Sequence, residues 1–202
     1  MSHMLLINSG IMLFLNIIFF VLFEMERPKP KDILPMVVVC CGAALGRVIF
    51  ALIPQVQPVT SLVIIMGSVY GCRRGYVTGA LCALLSNLFL GQGPWTLFQM
   101  TAWGMAGFGA GLLEKGIHSW NEKIKTGIYA AYGFLAAFLF SIITDFLTIS
   151  YLGESLSLAS AVAVFATGMV FNVGHAVFNT VLILFLYGIL SRKLYRIKLK
   201  TM

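Results

Sequence analysis

The fold class this sequence predicts is all-α, a polytopic membrane helix bundle, on three observations. Hydrophobic residues make up 59% of the 202 residues and charged ones only 10%, with a mean hydropathy of +0.94, whereas soluble domains carry roughly 25% charged residues. The apolar residues are gathered into runs, most of them close to the ~20 residues a helix needs to cross a bilayer. Of the 14 basic residues, 13 fall in segments that alternate crossing places on one side, the positive-inside pattern of a cytoplasmic face. The net charge of +7 therefore reads as topology and not as a nucleic-acid footprint. No soluble domain is expected.

Met1-Ser2-His3 ahead of a second Met has the pattern of a cleaved-tag remnant. Met4 to Phe23 is a first span with no basic n-region and no A-x-A site, hence a retained anchor and not a signal peptide. Glu24 to Asp32 is a cytoplasmic connector, in which Pro28 and Pro30 stop the helix and Arg27, Lys29 and Lys31 set the side. The second span, Ile33 to Ile53, carries Gly42-x-x-x-Gly46 and then Arg47. The third apolar segment, Thr60 to Gly71, is too short to cross as a straight helix. Its approach, with Gln55, Gln57, Thr60 and Ser61, is tolerable at membrane depth only where protein or a water-filled cavity covers the freed backbone groups. After a turn at Cys72-Arg73-Arg74 come spans at Gly75 to Leu90, Thr96 to Leu113, Thr126 to Tyr151 and Leu158 to Leu190.

The charged loop Glu114 to Lys125 and the tail Ser191 to Met202 complete the basic side. The opposite loops, 54–61, 91–95 and 152–157, hold no Lys or Arg and one acid, Glu154. Seven spans follow, with the N-terminus outside and the C-terminus inside. The chain divides into a tag remnant and extra helix (1–23), a connector (24–32), a six-helix substrate-binding membrane domain (33–191) and a basic cytoplasmic tail (192–202).

The loops Pro54 to Ser61 and Gly91 to Gln99 emerge on one side of the hairpin between them and form a mouth, the expected functional site. Gln55, Gln57, Asn87, Gln92 and Gln99 supply neutral amides there, and Trp95 and Trp103 supply aromatic planes. That set suits a ligand with many neutral hydrogen-bonding groups and an apolar body. Arg47 and Asp145 lie at similar depth below this side, either as a structural ion pair or as groups of the ligand cavity, because an ionisable residue inside a membrane is a functional candidate by default. Asn172, His175 and Asn179 share one helix face, and His175 alone reads better as an interhelical hydrogen bond than as a ligand contact. No second His or carboxylate completes a metal set, and Cys40, Cys41, Cys72 and Cys82 read as small packing residues. Gly42/Gly46, Gly75/Gly79 and Gly107/Gly111 are small-residue pairs that let helices approach closely, and at least one such face is free to dock a partner.

From Arg47 to Leu113, the stretches QPVTSLVIIMGSVYGCRRG and SNLFLGQGPWTLFQM with the Gly-rich fifth span resemble an S component, the substrate-binding subunit, of an energy-coupling factor (ECF) vitamin transporter. The resemblance is greatest to the cobalamin-type branch. It implies a multi-pass subunit of the bacterial cell membrane that captures a vitamin from outside and works with a transmembrane T subunit and two cytoplasmic ATPases. It also implies ligand contact by the two mouth loops, so Pro58 and Thr60 join Gln55, Gln57, Asn87, Gln92, Trp95, Gln99, Trp103 and Asp145 as expected substrate-binding residues. Gly42 and Gly46 stand where the family's first core helix carries an Ala-x-x-x-Ala motif toward the T subunit. The span Met4 to Phe23 departs from the six-helix pattern and is expected to be peripheral.

No cofactor is expected, and without a G-x-x-x-x-G-K-[ST] any ATP hydrolysis falls to partner chains. Other cargoes (riboflavin, a queuosine precursor, lipoate) are alternatives within the class. An intramembrane enzyme using Asp145 or His175 lacks a nucleophile with an assignable base, and a stand-alone secondary transporter would call for internal repeats.

Overall fold

The computed structural model describes residues 3–53 and 55–201. Pro54, at the start of the first mouth loop, lies outside the described residues, as do Met1 and Ser2 of the expected tag remnant, Met202, and the side chains of Glu154 and Thr201. Among the described residues seven α-helices follow in order: α1 (His3–Glu24), α2 (Pro30–Ile49), α3 (Val59–Tyr70), α4 (Cys72–Leu90), α5 (Trp95–Ile117), α6 (Glu122–Leu152) and α7 (Leu158–Thr201), with one 3-10 turn at Gly153–Ser155. By length and composition α1, α2, α6 and α7 can each cross a membrane, and α3 is a shorter apolar helix. The all-α membrane bundle expected from the sequence is the fold observed.

The expected loop Glu114 to Lys125 narrows to 118–121, α2 ends at Ile49 short of the expected Ile53, and three further boundaries differ from expectation for identifiable reasons. Pro30 begins α2 instead of ending a helix, because a proline at the first helical position gives up only an N–H that has no partner there. The Asp32 carboxylate caps the same end by accepting from the Lys29 N–H at 3.3 Å. The α3–α4 reversal takes place at Gly71 alone, at φ +91°, a left-handed conformation that a side chain disfavours. Cys72, Arg73 and Arg74 are instead the first turn of α4. The tail from Ser191 is not a separate segment, since α7 continues through it to Thr201.

Apart from Arg47, the basic residues gather at one end of the bundle. Arg73 and Arg74 reach Glu26 at 3.0 and 3.7 Å, Arg74 also reaches Asp32 at 3.8 Å, and Lys125 pairs with Glu114. Such half-exposed pairs add little stability; they set the bundle's charge polarity.

The core is built by close approach. Gly75 on α4 lies against Gly107 of α5, Gly79 against the Trp103 and Gly104 backbone, and Gly67 of α3 also meets Gly107. Two of the three sequence pairs, Gly75/Gly79 and Gly107/Gly111, are thus intramolecular seams, with Gly111 seated on the Gly71–Cys72 backbone. The third divides: Gly46 sits beneath the ring of Pro58, and Gly42 faces open space. On the other side, α3, α5, α6 and α7 are neighbours around a ring, filled by Ile64, Met66, Ala106, Tyr129 and Ile183.

The first helix is not loosely attached. α1 packs on α4, α5 and α6, and Asn16, 2% exposed, stitches it in place. The Asn16 amide donates to Thr101 Oγ1 at 2.9 Å, and its Oδ1 accepts from the Tyr76 hydroxyl at 3.2 Å. The Tyr76 ring stacks on Phe19 with 3.7 Å between centroids. Asn16→Leu leaves the buried Tyr76 hydroxyl and Thr101 without this partner, at about 1–3 kcal/mol. A lower unfolding midpoint in detergent is the expected result, and an unchanged midpoint would assign the attachment to apolar packing and the Asn8–Ser150 hydrogen bond at 2.7 Å.

Candidate functional site

At the end opposite the basic residues, two polar clusters meet at one tryptophan. The first forms where α2 passes the α4–α5 connection. Arg47 is 8% exposed, and its Nη1 donates to Ser86 Oγ at 2.6 Å and to Asn87 Oδ1 at 2.5 Å, while Nη2 reaches Gln99 Oε1 at 3.4 Å. The Asn87 amide in turn donates to Thr96 Oγ1 at 3.0 Å and Gln99 Oε1 at 2.9 Å, and the Thr96 hydroxyl to Gln92 Oε1 at 2.8 Å. An Arg in a membrane interior is tolerable when its donors are satisfied, and here neutral oxygens satisfy most of them.

The second cluster lies on α3 and α7. Trp103, fully buried, donates its indole N–H to Thr60 Oγ1 at 3.1 Å, and Thr60 Oγ1 lies 3.3 Å from His175 Nε2. One helical turn along α7, Asn179 Oδ1 accepts from the Ser61 backbone N–H at 3.1 Å and its hydroxyl at 2.7 Å. The first of these bonds occupies the Ser61 N–H in the first turn of α3, a short helix whose start at Val59 has no side-chain cap.

Trp103 joins the clusters. The Arg47 guanidinium lies 4.9 Å from its ring centroid, a cation–π distance, and Phe140 of α6 lies 4.8 Å away on a tilted plane. The Phe140 ring meets His175 edge-on at 5.5 Å. A continuous column therefore runs Arg47, Trp103, Phe140, His175, drawn from α2, α5, α6 and α7. Three buried polar atoms in this region have no hydrogen-bond partner among the described residues: Arg47 Nε, Gln57 Oε1 and His175 Nδ1. Unsatisfied buried donors and acceptors are uncommon, and they are chemical capacity that a ligand with neutral hydrogen-bonding groups can use.

Of the residues expected from sequence, Thr60, Asn87, Gln92, Gln99, Trp103, Arg47, His175 and Asn179 are brought together by these bonds. Trp95 closes its own turn, its indole N–H donating to the Gly91 carbonyl at 3.2 Å with the ring over Gly93, and it is 39% exposed. Pro58 is buried against Gly46. Gln55, at φ +65°, remains half-buried in the mouth loop, outside the networks described above. Asn172 lies one turn from His175 but contacts Gly168 of its own helix.

The Arg47–Asp145 ion pair is a correction. Among the described residues the two form no salt bridge; Arg47 turns to Ser86, Asn87 and Gln99, and Asp145 Oδ2 is buried without a partner. Similar depth on two helices does not set the azimuth of either, and the α4–α5 oxygens lie nearer. Four residues were missed as participants: Ser86 and Thr96, whose hydroxyls complete the Arg47 network, Phe140, and Asn16. Asn16 carried a signal as a polar residue deep in an apolar run, and Ser86 and Thr96 lie within the stretch SNLFLGQGPWTLFQM.

A protein-family model described as "ECF-type riboflavin transporter, S component" matches residues 31–192, covering α2 through most of α7. α1 lies outside that match. No curated protein and no solved structure matches the chain.

Proposed function

Because the chain belongs to the family of ECF-type riboflavin transporter S components, a transporter-subunit family and not an enzyme class, we propose that the vitamin it captures is riboflavin. As a membrane-embedded substrate-binding subunit it works with a T subunit and ATPases. The observation that carries the cargo assignment is the column Arg47, Trp103, Phe140 and His175 with the unpartnered Arg47 Nε and His175 Nδ1 at its two ends. A planar tricyclic ring rimmed with carbonyl and imide groups matches aromatic planes and unsatisfied donors and acceptors held side by side.

The sequence favoured cobalamin. The family description and the geometry both support the smaller cargo: the mouth is laced by direct bonds among Arg47, Asn87, Thr96 and Gln99, and a corrin with its nucleotide tail would have to part most of them. In this reading the uncharged end faces outside, N-terminus included, and the basic end faces the cytoplasm of a bacterial cell. Gly42, exposed on α2, is available to the T subunit, while Gly46 is occupied by Pro58. Capture precedes reorientation driven by the partner ATPases, and release follows from a lower affinity in the second orientation, since only differential affinity shifts an equilibrium.

Calorimetric titration of the purified chain with riboflavin, cobalamin, a queuosine precursor and lipoate tests the assignment. Riboflavin is expected to bind one to one with Kd below about 1 μM and the others not measurably. Tight cobalamin binding would return the cargo to the reading first made from the sequence. A folded sample that binds none of them would overturn capture by the isolated subunit.

A further inference from the structure

At the basic end, α3, α5, α6 and α7 part around a cavity of about 450 Å³. The four helices are neighbours in a ring, and Trp120, in the turn after α5, joins the lining. Its wall holds four cations, Lys125, Arg192, Arg196 and Lys198, against two carboxylates, Glu114 and Glu122.

Both carboxylates are matched internally. Glu114 takes Lys125, the Tyr129 hydroxyl at 2.7 Å and the His118 ring at 3.7 Å, and Glu122 takes Arg192 at 3.3 Å. The Arg196 side chain makes no hydrogen bond or ion pair with the described residues. Lys198 donates to the Val69 carbonyl at 2.6 Å, and burial, with Arg74 beside it, holds its ammonium below the ordinary lysine value despite Glu114 and Asp32. Three aromatic side chains, Trp120, Tyr187 and Tyr195, stand in the same wall. A positive-inside bias accounts for cations at this end. It does not account for a hollow that sets aromatic planes beside a net positive charge.

We propose that this cavity binds a soluble phosphate ester carrying a planar ring, with the ring against Trp120 and Tyr195 and the phosphate at Arg196. Stacking supplies the ring's affinity, and charge-assisted hydrogen bonds supply the phosphate's. The site lies at the far end of the bundle from the column around Trp103, so it is independent of the cargo assignment.

The probes are adenosine 5′-monophosphate, adenosine and inorganic phosphate, titrated calorimetrically into the full chain in detergent. The monophosphate is expected to bind one to one, with adenosine and phosphate each weaker by about tenfold or more. Arg196→Glu, at an exposed position, and Trp120→Ala should each weaken the monophosphate by about tenfold and leave riboflavin binding unchanged. Equal binding of phosphate and monophosphate, or full retention in Arg196→Glu, would overturn the site. Selective retention of phosphatidylglycerol over phosphatidylcholine in native mass spectra, without monophosphate binding, would overturn the ring and make the occupant a lipid headgroup.

Discussion

Gly107→Val yields no folded bundle in detergent, whereas Gly42→Ala purifies and melts like the parent chain. A Cβ at Gly107 falls on the Gly75 carbonyl and against Val63, and the Gly67 and Gly75 positions in turn press on the Gly107 backbone. The neighbours are mainly main-chain atoms, which have no rotamer to move to, so α3, α4 and α5 must separate. In lipid the separated helices gain no compensating hydrophobic burial, because their association rests on packing. The cost exceeds the roughly 3 kcal/mol of ordinary overpacking. Size-exclusion profiles of the two variants decide it: a monodisperse Gly107→Val peak with a parental melting midpoint would show that the seam has slack.

How far this architecture was legible in the sequence depended on the kind of information each feature needs. Helix number, the shortness of α3 and the basic end follow from apolar run length and charge placement, which are local properties. Helix ends were less legible where a residue has two uses. Pro30 reads as a breaker but starts a helix, and Gly71, not the adjacent arginines, makes the reversal. Azimuth was legible on α7, where His175 and Asn179 turn inward from one face to meet Thr60 and Ser61, but not on α2. Depth placed Arg47 near Asp145, while the rotation of α2 turned it to Ser86 and Asn87. The same missing rotation hid Asn16, since one polar residue in an apolar run signals a buried contact without naming Tyr76 as its partner.

Arg47→Ala is expected to lower riboflavin affinity by about 10- to 100-fold, the loss of a hydrogen bond to a charged group. It also leaves Ser86, Asn87 and Gln99 without their common donor, which costs about 1–3 kcal/mol of stability. Arg47→Lys separates the two effects. An ammonium keeps the charge over Trp103 but cannot reach several acceptors with a planar fork, so it should recover more of the melting midpoint than of the affinity. Unchanged affinity in Arg47→Ala, measured calorimetrically on a folded sample, would leave Arg47 a purely architectural residue and move the cargo away from the column.

α7 has 44 residues, about 66 Å of continuous helix at 1.5 Å per residue, roughly twice the ~30 Å hydrocarbon layer. Asn179, which holds the start of α3, and Lys198, at the basic end, are therefore fixed points on one stiff beam, about 28 Å apart. A beam of that length has leverage. A tilt of about 10° at the level of Asn179 displaces Lys198 by about 5 Å, a movement as large as a side chain. Rigid-body motion of α7 is thus enough to register at one end of the molecule what happens at the other.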